Sequence, residues 1–309
     1  MFYVHSVFSN IDVNILVIFA YGIIVGTITA LLGAGGGTLI VPFLTLYVGM
    51  PIRSAIGTSL FQVTGIAASG AYQHYKYGSA DLKLAAILIS SGSVMAYVGA
   101  TLAQRVPGNA LKVIFGVFVI LIALKFMRSP KKSEAEHAFK YDTAKAQPKV
   151  KKNNLFALIL PVAFVSSLPL AIKRTCPIGD YTIDVPKILL LGGSVGLLAG
   201  LLGVGGGFLL VPGLVFLCIP MKVAVGTDLT QIIASAAVGA STYYAKGDVD
   251  PIIGSLLMVG GILGTVFGTR LNKKLPAMTL RRLFGVIMIP IGLLMIRSAL
   301  SGGISIGGH

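Results

Sequence analysis

Charge is what this chain has least of. Aspartate and glutamate number 10 in 309 residues, and all charged residues together make up 11%. Soluble domains carry about 25%, so an ordinary soluble domain is excluded. Thiols are equally scarce. Cys176 and Cys218 stand in unrelated contexts, with neither a disulfide framework nor metal-ligand spacing. Nothing resembles a Walker loop or an ATP-binding cassette. Residues 1–14 have no basic leader and no clear cleavage site, so no removable signal peptide is expected. His, Cys, Asp and Glu form no cluster within the apolar segments, where Asp228 is the one acid set well inside a helix. Intramembrane catalysis is therefore disfavoured, and no cofactor or metal is expected.

What remains is apolar. Hydrophobic residues make up 55%, mean hydropathy is +0.88, and several runs approach the roughly 20 residues that span a bilayer. The net charge of +15 comes from lysines and arginines gathered in short loops. That is the pattern of membrane orientation signals, not of nucleic-acid binding.

One stretch occurs twice. GIIVGTITALLGAGGGTLIVP, from Gly22 to Pro42, returns as GGSVGLLAGLLGVGGGFLLVP, from Gly192 to Pro212. Each copy reads as an apolar helix, a glycine knot and a second apolar arm. Glycine costs a helix about 1 kcal/mol against alanine, so the knots break it. A broken helix in hydrocarbon needs protein or a wet cavity around its freed backbone groups, and paired breaks point to a transporter's binding site. Beyond the knots, Pro51, Gly57, Thr58, Gln62, Tyr75 and Asp81 match Pro220, Gly226, Thr227, Gln231, Tyr244 and Asp250, and Gly92, Gly99 and Gly116 match Gly261, Gly268 and Gly285.

The chain accordingly divides into a first transmembrane repeat over 13–128, a linker over 129–186 and a second repeat over 187–299. Apolar segments are predicted at Ile15 to Leu32, Thr38 to Val48, Ile52 to Tyr75, Leu82 to Ala103 and Ala110 to Met127, then at 188–218, 221–245, 251–271 and 277–298. The linker is polar and carries seven lysines between Lys131 and Lys152. Residues 155–172, apolar with Pro161 and Pro169, read as dipping into or lying on the membrane, and 175–187 as an extended loop. The linker and 155–187 have no counterpart in the first half. Basic residues decide orientation. Of the 25 lysines and arginines, all but Arg53, Arg105, Lys112, Lys246 and Arg297 fall on one side if the halves have opposite topology. The expected fold is all-α and polytopic, with two inverted repeats of about five apolar segments each and glycine-broken hairpins.

The candidate ligand groups follow from this frame. Gly35, Gly36 and Gly37, with Gly205, Gly206 and Gly207, form either a backbone cradle for an anion at two helix N-termini or a close-packing surface. Gln62 and Gln231, with Thr58 and Thr227 one turn earlier, supply neutral donors to an oxyanion or bond helix to helix. Asp228 stands where the first half has Ser59 and is either a proton relay or a cap near Lys222. Gly22, Gly26, Gly196 and Gly200 read as packing glycines. Tyr72, Tyr75, Tyr77, Tyr243 and Tyr244 read as interfacial aromatics.

The paired GxGGG-x4-P hairpins, the G-T-x-L-x-Q helices (Gly57 to Gln62 and Gly226 to Gln231) and the basic loop from Leu271 to Arg282 resemble the TauE/SafE family of sulfite-exporter-like permeases, the group that includes toluene-sulfonate uptake permeases. The resemblance covers roughly 15–127 and 187–298. It implies a multi-pass plasma-membrane transporter, bacterial or archaeal, for sulfite, sulfonates or related small sulfur-containing anions. The expectation is thus a secondary transporter, alternating access between inverted repeats and driven by an ion gradient. The alternatives are an anion channel and, further off, an intramembrane enzyme or scaffold. The expected partners are a small anion and the lipid bilayer, with no nucleic acid, and a homodimer is compatible.

Overall fold

The computed structural model describes residues 3–6, 11–32, 36–76, 80–127, 171–176, 179–217, 219–271 and 277–301. The first half opens with a short antiparallel hairpin, β1 (Tyr3–Ser6) and β2 (Ile11–Asn14). Then come α1 (Ile15–Leu32), α2 (Gly37–Pro42), α3 (Ile52–Lys76), α4 (Leu82–Arg105) and α5 (Gly108–Met127). The second half repeats the order: β3 (Ala171–Cys176) and β4 (Gly179–Asp184), then α6 (Val185–Leu202), α7 (Gly207–Phe216), α8 (Met221–Tyr244), α9 (Pro251–Leu271) and α10 (Ala277–Leu300). Pro42 has no N–H to continue the α2 ladder, and the chain widens into a π-helical turn over Phe43–Tyr47.

The architecture is that of an all-α membrane protein. Helices at Leu82–Arg105, Val185–Leu202, Val223–Tyr244 and Pro251–Gly268 are long and apolar enough to cross a bilayer, and shorter apolar helices accompany them. One expectation is corrected. The stretch before the second broken helix does have a counterpart, because β3–β4 leads into α6 as β1–β2 leads into α1. Ala171 and Ile172, expected to end an apolar membrane segment, lie in β3; residues 128–170, with the rest of that segment, lie outside the described residues.

The two halves do not sit side by side; they interlock. The principal helix partnerships are α1 with α9, α6 with α4, α3 with α8 and α5 with α10, each joining one half to the other. Glycines set these crossings. Gly22 lies against Leu257 and Gly260, and Gly26 against the backbone of Gly261. Their equivalents Gly192 and Gly196 lie against Leu88 with Ser91 and against the backbone of Gly92. Without side chains at these points the helix backbones can touch, which in a membrane takes the place of the hydrophobic effect.

The same neighbours fix direction. Gly70, late in α3, packs on Leu229, early in α8, while Gly239, late in α8, packs on Leu60, early in α3. Gly116 in α5 meets Gly292 in α10, and Gly285 meets Ala123 and Met127. The equivalent helices α3 and α8 therefore run antiparallel, as do α5 and α10. Each of these contacts has its repeat equivalent.

Candidate functional site

The two glycine knots touch each other. A Cβ on Gly37 would strike the carbonyl oxygen of Gly203 and the backbone of Val204. Gly203 ends α6 in the left-handed region (φ 71°), and Gly205 and Gly206 follow at φ 76° and 86°. Such angles strain any residue with a Cβ. Gly36, the equivalent of Gly206, differs from it with φ −26°. Ser59, buried in α3, donates to the Gly203 carbonyl at 3.0 Å and ties the second knot to the first half. Gly207 opens α7; Gly35 lies outside the described residues.

Close packing accounts for much of the glycine at the knots. A Cβ at Gly36 would meet Val25 Cγ1 at 2.8 Å and Thr29 Oγ1 at 2.9 Å, and one at Gly206 would meet Val195 Cγ1 at 2.7 Å. Residues 25 and 195 are repeat equivalents, so each hairpin closes on its own first helix at the same level.

The threonines are engaged. Thr58 accepts a hydrogen bond from the Asp250 amide at 2.9 Å, and Thr227 accepts one from the Asp81 amide at 3.2 Å. Asp250 and Asp81 in turn cap α9 and α4: Asp250 Oδ1 accepts from Ile252 and Ile253, Asp81 Oδ1 from Lys83 and Leu84. Each half's threonine thus holds the start of a helix in the other half.

The glutamines are not engaged. Gln62 and Gln231 are 0% and 1% exposed, and the amide nitrogen and oxygen of both have no hydrogen-bond partner among the described residues. Gln62 Nε2 lies beside Gly261, where a Cβ would come within 3.1 Å; Gln231 Nε2 lies closer still beside Gly92. Each glutamine therefore reaches the crossing of a broken helix with its partner, α1 with α9 and α6 with α4. A buried polar group left without a partner costs about 1–3 kcal/mol, and here the cost occurs twice, at equivalent places.

Asp228 is 2% exposed, and its Oδ1 has no partner among the described residues. Tyr243 corrects the reading of an interfacial aromatic. It is fully buried, and its hydroxyl donates to the Gly200 carbonyl at 3.1 Å, in space left by Gly57. Tyr72, Tyr75 and Tyr244 are exposed as expected; Tyr77 lies outside the described residues. Thr29 was not singled out from sequence. Its hydroxyl is buried without a described partner, beside Gly36. The available signal was a hydroxyl where the second repeat has Ala199. A separate groove of about 710 Å³ between α4 and α6 is lined by Val94, Met95, Leu189 and Leu197, among others; among the described residues its polar side chains are serines and none is charged to hold an anion.

The family model described as "Sulfite exporter TauE/SafE" matches residues 18–295, both knots and both glutamine helices included. The chain belongs to the TauE/SafE family. It is 28% identical over 287 residues to the "Probable membrane transporter protein YunE" of Bacillus subtilis, covering 90% of this chain and 96% of that one. It is 26% identical to "Probable membrane transporter protein YdhB" of the same organism, over 91% of this chain and 98% of that one. Similarity to "Probable membrane transporter protein MJ0441" of Methanocaldococcus jannaschii, at 26% identity, covers 89% and 92%. No solved structure matches. This TauE/SafE chain is thus a membrane protein similar to proteins named as transporters across nearly its whole length.

Proposed function

We propose that the chain is a multi-pass secondary transporter of the cell membrane, not an enzyme, and that it moves a small sulfur-containing oxyanion such as sulfite or an organosulfonate. The observation that carries this reading is a pair of buried glutamines at equivalent positions of the two repeats, beside Gly261 and Gly92, whose amides have no partner among the described residues. An amide donates to oxyanion oxygens without a fixed charge, so it binds and also releases. The antiparallel equivalent helices support inverted repeats, and inverted repeats rocking about a central site support alternating access. The family's description supports sulfite-like chemistry.

The test is thermal unfolding of the purified protein with sulfite, thiosulfate, methanesulfonate, sulfate and acetate. A ligand that prefers the folded state raises its melting temperature, by about 2.7 kcal/mol of stabilisation at a hundred times its Kd. A shift with the sulfur oxyanions, lost in Gln62→Ala and Gln231→Ala, is expected. A shift with acetate alone, or no shift with any of the anions, overturns the reading.

A further inference from the structure

We infer that Asp228 is a proton-binding site that couples anion movement to a proton gradient, an inference that rests on the transport reading above. The two halves use one position differently. Ser59 is a permanent donor to the Gly203 carbonyl, at the place where Gly37 also packs. Its equivalent on α8 is Asp228, as deeply buried and without a partner at Oδ1 among the described residues. A carboxyl group donates a hydrogen bond only when it carries a proton; ionised, it only accepts. The donor that is fixed in one half is conditional on a proton in the other.

Position on the helix links that proton to the anion. Asp228 and Gln231 are three residues apart on α8, as Ser59 and Gln62 are on α3, and residues at this spacing are surface neighbours. A negative Asp228 would repel an anion held by Gln231, and a neutral one would not. Proton and anion therefore favour each other's binding, and such coupling is reciprocal. In the cycle Asp228 carboxylate takes a proton from hydronium on one side, leaving water, and returns it to water on the other. The anion crosses in the same direction, and no other reactant is needed.

The helices packed on α8 are α3, α4, α6 and α7. Because Gly70 packs on Leu229 and Thr227 holds the Asp81 amide, the ionisable groups of these helices at Asp228's end of the bundle are, among the described residues, Tyr72, His74, Tyr75 and Lys76 of α3, Asp81 and Lys83 at the start of α4, and Lys187 of α6, which is paired with Asp184. Arg53 sits at the opposite end of α3, and α7 carries no charge. On its own helix the nearest charge is Lys222, whose side chain lies outside the described residues. The Asp81 carboxylate is committed to capping α4.

The experiment uses the full chain reconstituted in vesicles, with labelled sulfite and labelled methanesulfonate, the latter ionised across the pH range. In wild type, an outside-acid gradient of one pH unit without sodium should drive accumulation, at one proton per anion by up to about tenfold. Adding anion should alkalinise the outside medium. Asp228→Asn and Asp228→Ser should keep exchange of labelled anion at equal pH and lose both the accumulation and the proton movement. Serine restores the permanent donor of the first half, so it serves if the asparagine variant does not fold. Accumulation under a proton gradient by both variants, or wild-type accumulation that follows sodium with no proton movement, overturns the inference and leaves the transport reading intact. Absence of any exchange of either anion by wild type overturns the transport reading, and this inference with it.

Discussion

At the scale of single residues, threonine and glutamine stand one turn apart and do different things. Thr58 and Thr227 close hydrogen bonds across the halves, whereas Gln62 and Gln231 find no partner among the described residues. The two pairs should therefore respond oppositely to apolar replacement. Thr58→Val and Thr227→Val strand a buried amide and should each destabilise by about 1–3 kcal/mol, while changing sulfite affinity only a few-fold. Gln62→Leu and Gln231→Leu remove an unpartnered amide and should hold or raise the melting temperature, while the sulfite-induced shift disappears. Both quantities come from one melting curve with and one without sulfite. A leucine variant that melts lower and keeps the shift would make the amides structural. The double change Gln62→Ala with Gln231→Ala should depart from additivity in sulfite affinity if both amides touch one anion, and additive losses would separate them into two sites. Glycine substitutions at the knots cannot make this distinction, because a Cβ at Gly36 or Gly206 first meets Val25 or Val195.

At the scale of the element, crossings between helices decide which glycines tolerate change. A Cβ at Gly26 or Gly196 runs into the backbone of Gly261 or Gly92, whereas one at Gly193 makes only ordinary contact with Met95 at 3.4 Å. Overpacking costs about 1–3 kcal/mol, so Gly26→Ala and Gly196→Ala should lower the melting temperature and the yield of folded protein. Gly193→Ala should behave as wild type in the same size-exclusion and melting assays; equal behaviour of all three would remove the packing argument. Helix limits were readable from punctuation: Leu32 before the knot and Pro51 before α3 sit where the chain must break. Partnerships between helices were not readable. The repeat says that Gly26 is equivalent to Gly196, but not that it lies on Gly261, since equivalence in sequence carries no information about neighbours in space. Tyr243 was misread for that reason, because its burial depends on Gly57 and Gly200 in two other helices. The glutamines were readable as a pair of polar residues in apolar helices. That their amides lack partners among the described residues, while the threonine hydroxyls one turn earlier have them, emerged only from packing.

At the scale of the whole molecule, the antiparallel packing of equivalent helices makes a prediction about sidedness. If the helices cross the bilayer along their length, antiparallel equivalents put matching loops on opposite faces. Reporter fusions at Lys140 and Lys274 should read as cytoplasmic and a fusion at Asp248 as external. An external signal at Lys274 would contradict the inverted arrangement.

The interlocking of the halves also bears on how the chain is made. A ribosome delivers α1 and α4 before α9 and α6 exist, so Gly26 and Gly92 are made before the helices they lie against. The principal helix crossings join the two halves, so those of the first half are completed only when the second is synthesised. The first 140 residues alone should be a substrate for quality-control proteolysis. Co-expressed with residues 141–309 as a separate chain, they should be rescued, with steady-state level on an immunoblot as the measure. Rescue would show that neither half is a folding unit by itself, because the principal partnerships run between the halves.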